Sequence, residues 1–114
     1  MGMQKKVTAH VVTHTHWDRE WYMPFQQFRM RLVDLIDRLA DIFKEEKDFL
    51  HFNLDGQTIC LEDYIEVYPG KEQVLKELIG SGKIAVGPWY VLPDEFLVSG
   101  ESLIRNLMIG DKIS

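Results

Sequence analysis

The chain has 114 residues, of which 46% are hydrophobic and 27% are charged, so it can bury the core of one domain and is too apolar for general disorder. Its net charge of -5 provides no global attraction to nucleic acid or anionic lipid. The single cysteine, Cys60, excludes a disulfide framework. The sequence contains neither a signal-peptide core nor a membrane-spanning run of about 20 apolar residues. We therefore expect a cytoplasmic protein without nucleic-acid or membrane partners.

The first half of the chain predicts one strand followed by one long helix. Lys6–Thr13 is β-branched and mostly apolar, as in a strand that is buried in a parallel sheet. Pro24 then opens a pattern with apolar residues three and four positions apart. The apolar positions of this predicted helix are Phe25, Phe28, Leu32, Leu35, Ile36, Leu39, Ile42 and Phe43.

The second half alternates between the same two periods. Phe49–Leu54 and residues 84–86 read as strands, and Thr58 can cap a helix that ends at Pro69-Gly70. Lys71–Ile79 and Glu101–Ile113 read as further helices. This order predicts an α/β fold with a parallel sheet. A three-stranded parallel sheet would be small and edge-exposed, so the chain could form the first strands and helices of a larger barrel, or pair as a homo-oligomer.

The residues suited to chemistry lie where each predicted strand ends. In parallel α/β folds, active sites gather at the carboxyl ends of strands. The three ends here read HTHWDREW, NLDGQ and GPWYVLPDE, and each is rich in polar, charged or aromatic groups. We therefore expect these three segments to form one site.

His14, His16 and Asp18 occupy alternate positions after the first predicted strand. Alternate residues of an extended chain face the same way, and imidazole and carboxylate are ligands that suit zinc or a similar divalent ion. The alternative is a polar loop with hydrogen-bonded or solvated histidines. The added carboxylate favours the metal interpretation.

The remaining residues of the first segment divide by expected role. Trp17 faces opposite to the candidate ligands, which favours packing, whereas Trp21 can either pack or stack on the apolar face of a sugar or base. Arg19 and Glu20 are expected to be surface charges or to support neighbouring groups rather than to act as catalysts.

The other two strand ends offer groups that suit a polyhydroxylated ligand. Asp55 and Gln57 could bind hydroxyls, although Asp-Gly is also a common turn pair. His51, within the second predicted strand, is expected to be a hydrogen-bonded core histidine. The candidate substrate contacts of the third segment are Trp89, Tyr90 and Asp94; for Glu95 an ordinary loop charge is favoured.

Three motifs together resemble the N-terminal part of a bacterial-type family 38 glycoside hydrolase, a zinc-dependent retaining α-mannosidase. They are VTHTHWDREWY, FNLDGQTICLEDY and GKIAVGPWYVLPDEFLVSGESLIRNL, and the resemblance extends from Lys6 onward. It implies that residues 1–114 are the N-terminal portion of a catalytic domain built on an irregular seven-stranded (β/α) barrel.

The resemblance also implies the site. His16 and Asp18 match two zinc ligands, His14 matches a residue that orients a ligand or substrate hydroxyl, and Trp21 matches the aromatic residue of the mannose subsite. The implied substrate is an α-mannoside or mannose-containing oligosaccharide. The family's nucleophile, an aspartate that also binds zinc, belongs to a motif absent from this sequence and is expected beyond Ser114. The isolated chain is therefore expected to be inactive.

Two other functions remain as alternatives, and the second of them best describes the isolated chain because of its length. A barrel metallohydrolase, such as an amidohydrolase or phosphoesterase, also places H-x-H after its first strand, but such sites normally recruit histidines from later strands. The later strand ends here offer aromatic and carboxylate groups instead. A non-catalytic fragment that binds glycan or a partner chain is the third possibility, and it predicts weak zinc affinity.

Overall fold

The structure is a computed structural model that describes residues 6–114. This part of the chain has an α/β architecture, as predicted. Its elements in chain order are α1 (Phe25–Glu45), β1 (Phe52–Asn53), α2 (Ile59–Val67), a 3-10 turn (Pro69–Lys71), α3 (Glu72–Gly80), β2 (Ile84–Ala85) and α4 (Gly100–Ile113). Within it, no helix is both long enough and apolar enough to cross a bilayer.

The sheet is parallel and has β1 at its centre. Phe52 pairs with Ile84 and Asn53 with Ala85. On the other side of β1, residues 13–15 run parallel to it: the Asn53 amide donates to the Thr13 carbonyl at 2.9 Å, and an isolated bridge joins His14 to Asn53. The three carboxyl ends therefore lie at one edge of the sheet.

The predicted strands are longer than the observed ones. Lys6–Thr13 is not a strand; Val7 and Val11 are 83% and 90% exposed, because no described segment covers this run on its outer side. Phe49–Leu54 narrows to β1. His51, expected in the core, is exposed, and its Nδ1 lies 2.9 Å from the Gly82 carbonyl oxygen. The core prediction for His51 was wrong because the next residue, Phe52, faces the core, and successive residues of an extended chain face opposite ways.

The long amphipathic helix is confirmed as α1. Its apolar stripe is the largest contribution to the core, and burial of each such side chain stabilises the fold by about 1.5–3 kcal/mol. The helix begins after Pro24, whose carbonyl accepts from the Gln27 and Phe28 amides at 2.9 and 3.2 Å. The buried residues of the stripe are Phe28, Leu32, Val33, Ile36, Leu39 and Phe43.

The strands and α2 face this stripe. Phe52, Leu54 and Ile84 come from the sheet region and Ile59 and Tyr64 from α2. The Tyr64 hydroxyl donates to Asp37 of α1 at 2.6 Å, which fixes the two helices together at their polar margin. Burial and this hydrogen bond raise the pKa of Tyr64.

Helix α4 packs on the loop that follows β2. Asn106 Oδ1 accepts from the Tyr90 and Val91 amides at 2.8 and 2.9 Å, and its Nδ2 donates to the Val91 carbonyl at 2.6 Å. Gly110 lies so close to this loop that a Cβ atom there would stand 2.0 Å from the Pro88 carbonyl oxygen. The Gly87-Pro88 peptide bond is cis.

Candidate functional site

The structure brings the three strand-end segments together, as the sequence predicts. Asp55 Oδ2 accepts from the Trp17 amide at 2.6 Å, and Gln57 Nε2 donates to the Trp17 carbonyl at 2.7 Å. Gln57 Oε1 in turn accepts from the Leu92 amide at 3.2 Å. One buried amide side chain thus joins the segment after residue 15, the loop after β1 and the loop after β2.

The loop after β1 depends on two left-handed residues. Asp55 has φ 52° and Gly56 has φ 65°. Aspartate tolerates this conformation better than most side chains, and glycine adopts it freely. The resulting turn directs the Asp55 carboxylate back towards residues 16 and 17, so the Asp-Gly pair is both a turn and a source of a functional group.

His16 lies between two carboxylates. Its Nε2 is 3.6 Å from Asp18 Oδ1, and its Nδ1 is 3.5 Å from Asp55 Oδ2. The His16 and Asp18 side chains are 66% and 46% exposed, whereas that of Asp55 is 10% exposed. The His16 and Asp18 side chains therefore face solvent, and the nearly buried Asp55 carboxylate lies on the other side of the imidazole.

This arrangement fits two metal ligands and one supporting carboxylate. Two atoms bound about 2.0–2.1 Å from a tetrahedral zinc ion lie about 3.3 Å apart, close to the 3.6 Å between His16 Nε2 and Asp18 Oδ1. Asp55 faces the other ring nitrogen, where carboxylates commonly orient histidine ligands. Within residues 6–114 no group of three or more histidine, cysteine, aspartate or glutamate side chains could hold a metal ion.

A shallow depression of about 210 Å³ adjoins these residues. Its lining comes from all three segments: His16, Trp17, Asp18, Arg19 and Glu20 from the first, Gln57 from the second, and Val91 and Leu92 from the third. The depression is therefore open and lined by both polar and apolar side chains.

The aromatic residues of the first segment have different environments. Trp17 is half-buried against Phe28, with ring centroids 6.0 Å apart, so the prediction that it packs is confirmed. Trp21 is 75% exposed and neighbouring Tyr22 is 69% exposed. The tryptophan face is free to stack, and a role in substrate binding stays a prediction.

The aromatic residues of the third segment are half-buried. Trp89 runs beside the loop after β1, its amide donating to the Gly56 carbonyl at 3.2 Å. The Tyr90 hydroxyl donates to Glu62 of α2 at 2.9 Å, and burial together with this bond raises the pKa of Tyr90. Both tyrosine bonds, at the amide and at the hydroxyl, hold the loop in place.

Other predicted site residues lie less centrally. Gln57 is 1% exposed and its amide is bonded within the protein, which gives it a structural role that the sequence did not indicate. Asp94 and Glu95 are exposed, and the Asp94 carbonyl accepts from the Leu97 amide at 3.0 Å in a turn. His14 is exposed, with Nδ1 3.3 Å from the Thr15 carbonyl oxygen. Their predicted substrate or supporting roles stay predictions.

Arg19 forms an ion pair that sequence reasoning missed. Its Nε and Nη2 donate to the two carboxylate oxygens of Asp63 at 2.7 and 2.8 Å, and Asp63 on α2 is 3% exposed. The guanidinium also lies 4.6 Å from the Phe25 ring centroid. The hydrogen bond to Asp63 raises the pKa of Arg19. The sequence offered one signal for this pair: Asp63 adjoins apolar residues of a short helix, and a carboxylate that is buried there needs a charged partner.

The comparisons with known proteins decide the family. The profile of the glycosyl hydrolases family 38 N-terminal domain matches residues 6–114. The chain belongs to glycosyl hydrolase family 38. Its homologues are glycoside hydrolases.

Two curated relatives carry mannose-related names. The family 38 chain is 49% identical over 107 residues to a putative mannosylglycerate hydrolase of Halalkalibacterium halodurans, covering 94% of this chain and 12% of that protein. It is 27% identical over 110 residues to mouse alpha-mannosidase 2C1, covering 96% of this chain and 10% of that protein. The chain thus spans about a tenth of the length of these relatives.

Two solved structures from Enterococcus faecalis share the fold. An α-mannosidase aligns with TM-score 0.84 and 47% identity over 87% of the family 38 chain and 11% of its own length. A protein of glycosyl hydrolase family 38 aligns with TM-score 0.81 and 43% identity over 90% of this chain and 12% of its own.

Proposed function

We propose that this chain forms part of the zinc and sugar site of an enzyme that hydrolyses α-mannosides with retention. The observation that carries the proposal is the position of His16 between Asp18 and Asp55 at the carboxyl edge of the parallel sheet. The names of the relatives, a mannosylglycerate hydrolase and α-mannosidases, support mannose as the sugar.

His16 and Asp18 are the groups that would hold the cation. Both side chains are exposed, and His16 Nε2 lies 3.6 Å from Asp18 Oδ1. Asp55 acts from behind the ring: a carboxylate near Nδ1 favours the tautomer that leaves Nε2 free as a ligand. When bound, zinc supplies Lewis-acid polarisation to the oxygens that it contacts.

The sugar would lie against the exposed aromatic surface beside these ligands. Trp21 offers an apolar ring face for the apolar face of a mannose ring. The depression that His16 and Asp18 line provides polar groups for hydroxyls together with the apolar Val91 and Leu92. This pairing of a stacking surface with polar groups suits a carbohydrate.

The described residues supply part of the chemistry. Retaining hydrolysis needs a nucleophile and a general acid whose carboxyl groups lie about 5–5.5 Å apart. We assign neither role within residues 6–114, and we infer that this segment forms the first strands and helices of an irregular seven-stranded barrel. Accordingly, pure 114-residue chain should not hydrolyse an aryl α-mannoside, with or without zinc.

The proposal is tested on the complete gene product. Aryl α-mannoside and aryl β-mannoside are compared before and after dialysis against a chelator, and again after zinc is restored. We expect turnover of the α-anomer alone, its loss on chelation and its recovery with zinc. Turnover that survives complete zinc removal, or preference for the β-anomer, would overturn the assignment.

A further inference from the structure

The two proposed ligands alternate with two residues that are fixed to the fold. His16 and Asp18 face solvent, whereas the Trp17 backbone binds Asp55 and Gln57 and the Arg19 side chain binds Asp63. Asp18 therefore lies between a residue held by its main chain and a residue held by its side chain. The exposed Asp18 carboxylate thus gains a defined position from two neighbours that are bonded to the fold.

The attachment at Arg19 is unusually restrictive for a loop. Both carboxylate oxygens of Asp63 accept from the guanidinium, a bidentate geometry that fixes orientation as well as distance. Phe25 of α1 covers one face of the guanidinium at 4.6 Å. Arg19 is thus held by two helices at once, and a lysine could reproduce its charge without reproducing the fork or the stacking.

The ion pair also couples the loop to the helix that follows Asp55. Helix α2 begins at Ile59, directly after the segment that supplies Asp55 and Gln57, and Asp63 lies one turn into it. The supporting carboxylate behind His16 and the acceptor of Arg19 therefore belong to one continuous loop–helix unit. A shift of this unit relative to the motif would alter both carboxylate–imidazole separations.

We propose that Arg19 and Asp63 form a positioning pair that acts through the motif backbone to hold Asp18 opposite His16, and thereby sets the affinity of the site for its divalent cation. Neither Arg19 nor Asp63 is one of the proposed cation ligands. The inference rests on the proposed metal function, and it assigns to this ion pair a role beyond the stability of the fold.

The test compares four forms of the complete gene product: wild type, Arg19→Lys, the double variant Arg19→Met/Asp63→Leu, and Arg29→Lys as the matched control. Arg29 also lies over the Phe25 ring, at 5.2 Å, but its ion pair joins α1 to exposed Glu66 and leaves the motif untouched. The double variant removes both charges together, because replacing a buried ion pair with apolar residues often preserves stability.

Three quantities are measured for each form: the zinc dissociation constant by chelator competition, hydrogen exchange of amides 16–22, and Tm. We expect Arg19→Lys and the double variant to weaken zinc binding about 10- to 100-fold, the range for removing a group that supports a metal ligand, and to exchange these amides faster. Arg29→Lys should match wild type in both. The double variant should retain a Tm close to that of the control.

Each other outcome has a defined meaning. Unchanged exchange in Arg19→Lys would overturn the proposal directly. Faster exchange with wild-type zinc affinity would show a purely structural pair, which also overturns it. If wild type itself retains no zinc, the proposed metal function fails. If wild type and both variants bind zinc equally tightly, the metal function stands and the positioning role of Arg19 and Asp63 fails.

Discussion

Replacement of Gly110 by alanine tests how α4 holds the loop after β2. A Cβ atom at this position would stand 2.0 Å from the Pro88 carbonyl oxygen and 2.6 Å from the Tyr90 amide nitrogen. These are backbone atoms, so no side chain can turn aside. Restoring an ordinary contact of 3.4 Å from 2.0 Å requires the helix and loop to separate by 1.4 Å.

That displacement would break the three hydrogen bonds of the Asn106 side chain, which measure 2.6, 2.8 and 2.9 Å. At about 0.5–1.5 kcal/mol each, their loss costs about 1.5–4.5 kcal/mol. Alanine returns about 1 kcal/mol through its higher helix propensity. We therefore expect the free energy of unfolding to fall by about 0.5–3.5 kcal/mol, a range that includes the 1–3 kcal/mol typical of overpacked sites.

Urea unfolding of the variant measures this loss, with Gly80→Ala as the control. Gly80 is also a helical glycine, in α3, but a Cβ there meets nothing within 4 Å. The control should unfold at the wild-type concentration of urea or slightly above it. If Gly110→Ala were as stable as Gly80→Ala, the contact between α4 and the loop would not be as close as described.

Three further variants and reagents probe separate features. The Thr58 hydroxyl is buried without a hydrogen-bond partner among the described residues, so Thr58→Val should leave stability unchanged or raise it by about 1–2 kcal/mol; a clear loss in urea unfolding would mean that the hydroxyl is bonded. Burial raises the pKa of Cys60 to about 12, so a thiol reagent at pH 8 should modify it only as fast as the protein unfolds, and rapid labelling of folded protein would contradict its burial. The same shift means that stability contributed by the neutral thiol is present below about pH 8.5 and is lost as the pH rises towards 12. Trp21→Ala should lower kcat/KM for an aryl α-mannoside about fivefold at unchanged Tm, with recovery in Trp21→Phe, since aromatic stacking at an exposed site contributes about 1 kcal/mol. Equal kcat/KM in all three forms would remove Trp21 from the site.

The sequence predicts those parts of the fold that follow from the spacing of apolar residues along one element. The apolar stripe of α1 continues from Phe28 to Phe43, about four helical turns, so the existence of the helix and its buried face follow from the sequence alone. The strands are harder, because a run such as Lys6–Thr13 forms a strand only where neighbours complete the ladder. In this part of the chain, only residues 13–15 form hydrogen bonds with β1, and Val11 stays exposed.

The site shows the same division. The alternation of His16 and Asp18 and their position at a strand end could be read directly, as could the packing of Trp17. The supporting contacts could not, because they join residues far apart in the chain: Arg19 to Asp63, and Asn106 to the loop around Tyr90. Burial of Gln57 was missed for the same reason, since a polar residue in a turn motif gives no sign that three segments converge on it.

The zinc content of the complete gene product tests the central claim most directly. Wild type, His16→Ala and His51→Ala are dialysed against zinc-free buffer and their bound metal is measured by mass spectrometry. His51 is the control because it is an exposed histidine whose Nδ1 lies 2.9 Å from the Gly82 carbonyl oxygen, and it is not one of the proposed ligands. We expect wild type and His51→Ala to retain zinc and His16→Ala to lose it. Full zinc occupancy in His16→Ala would contradict the assignment of His16 as a ligand.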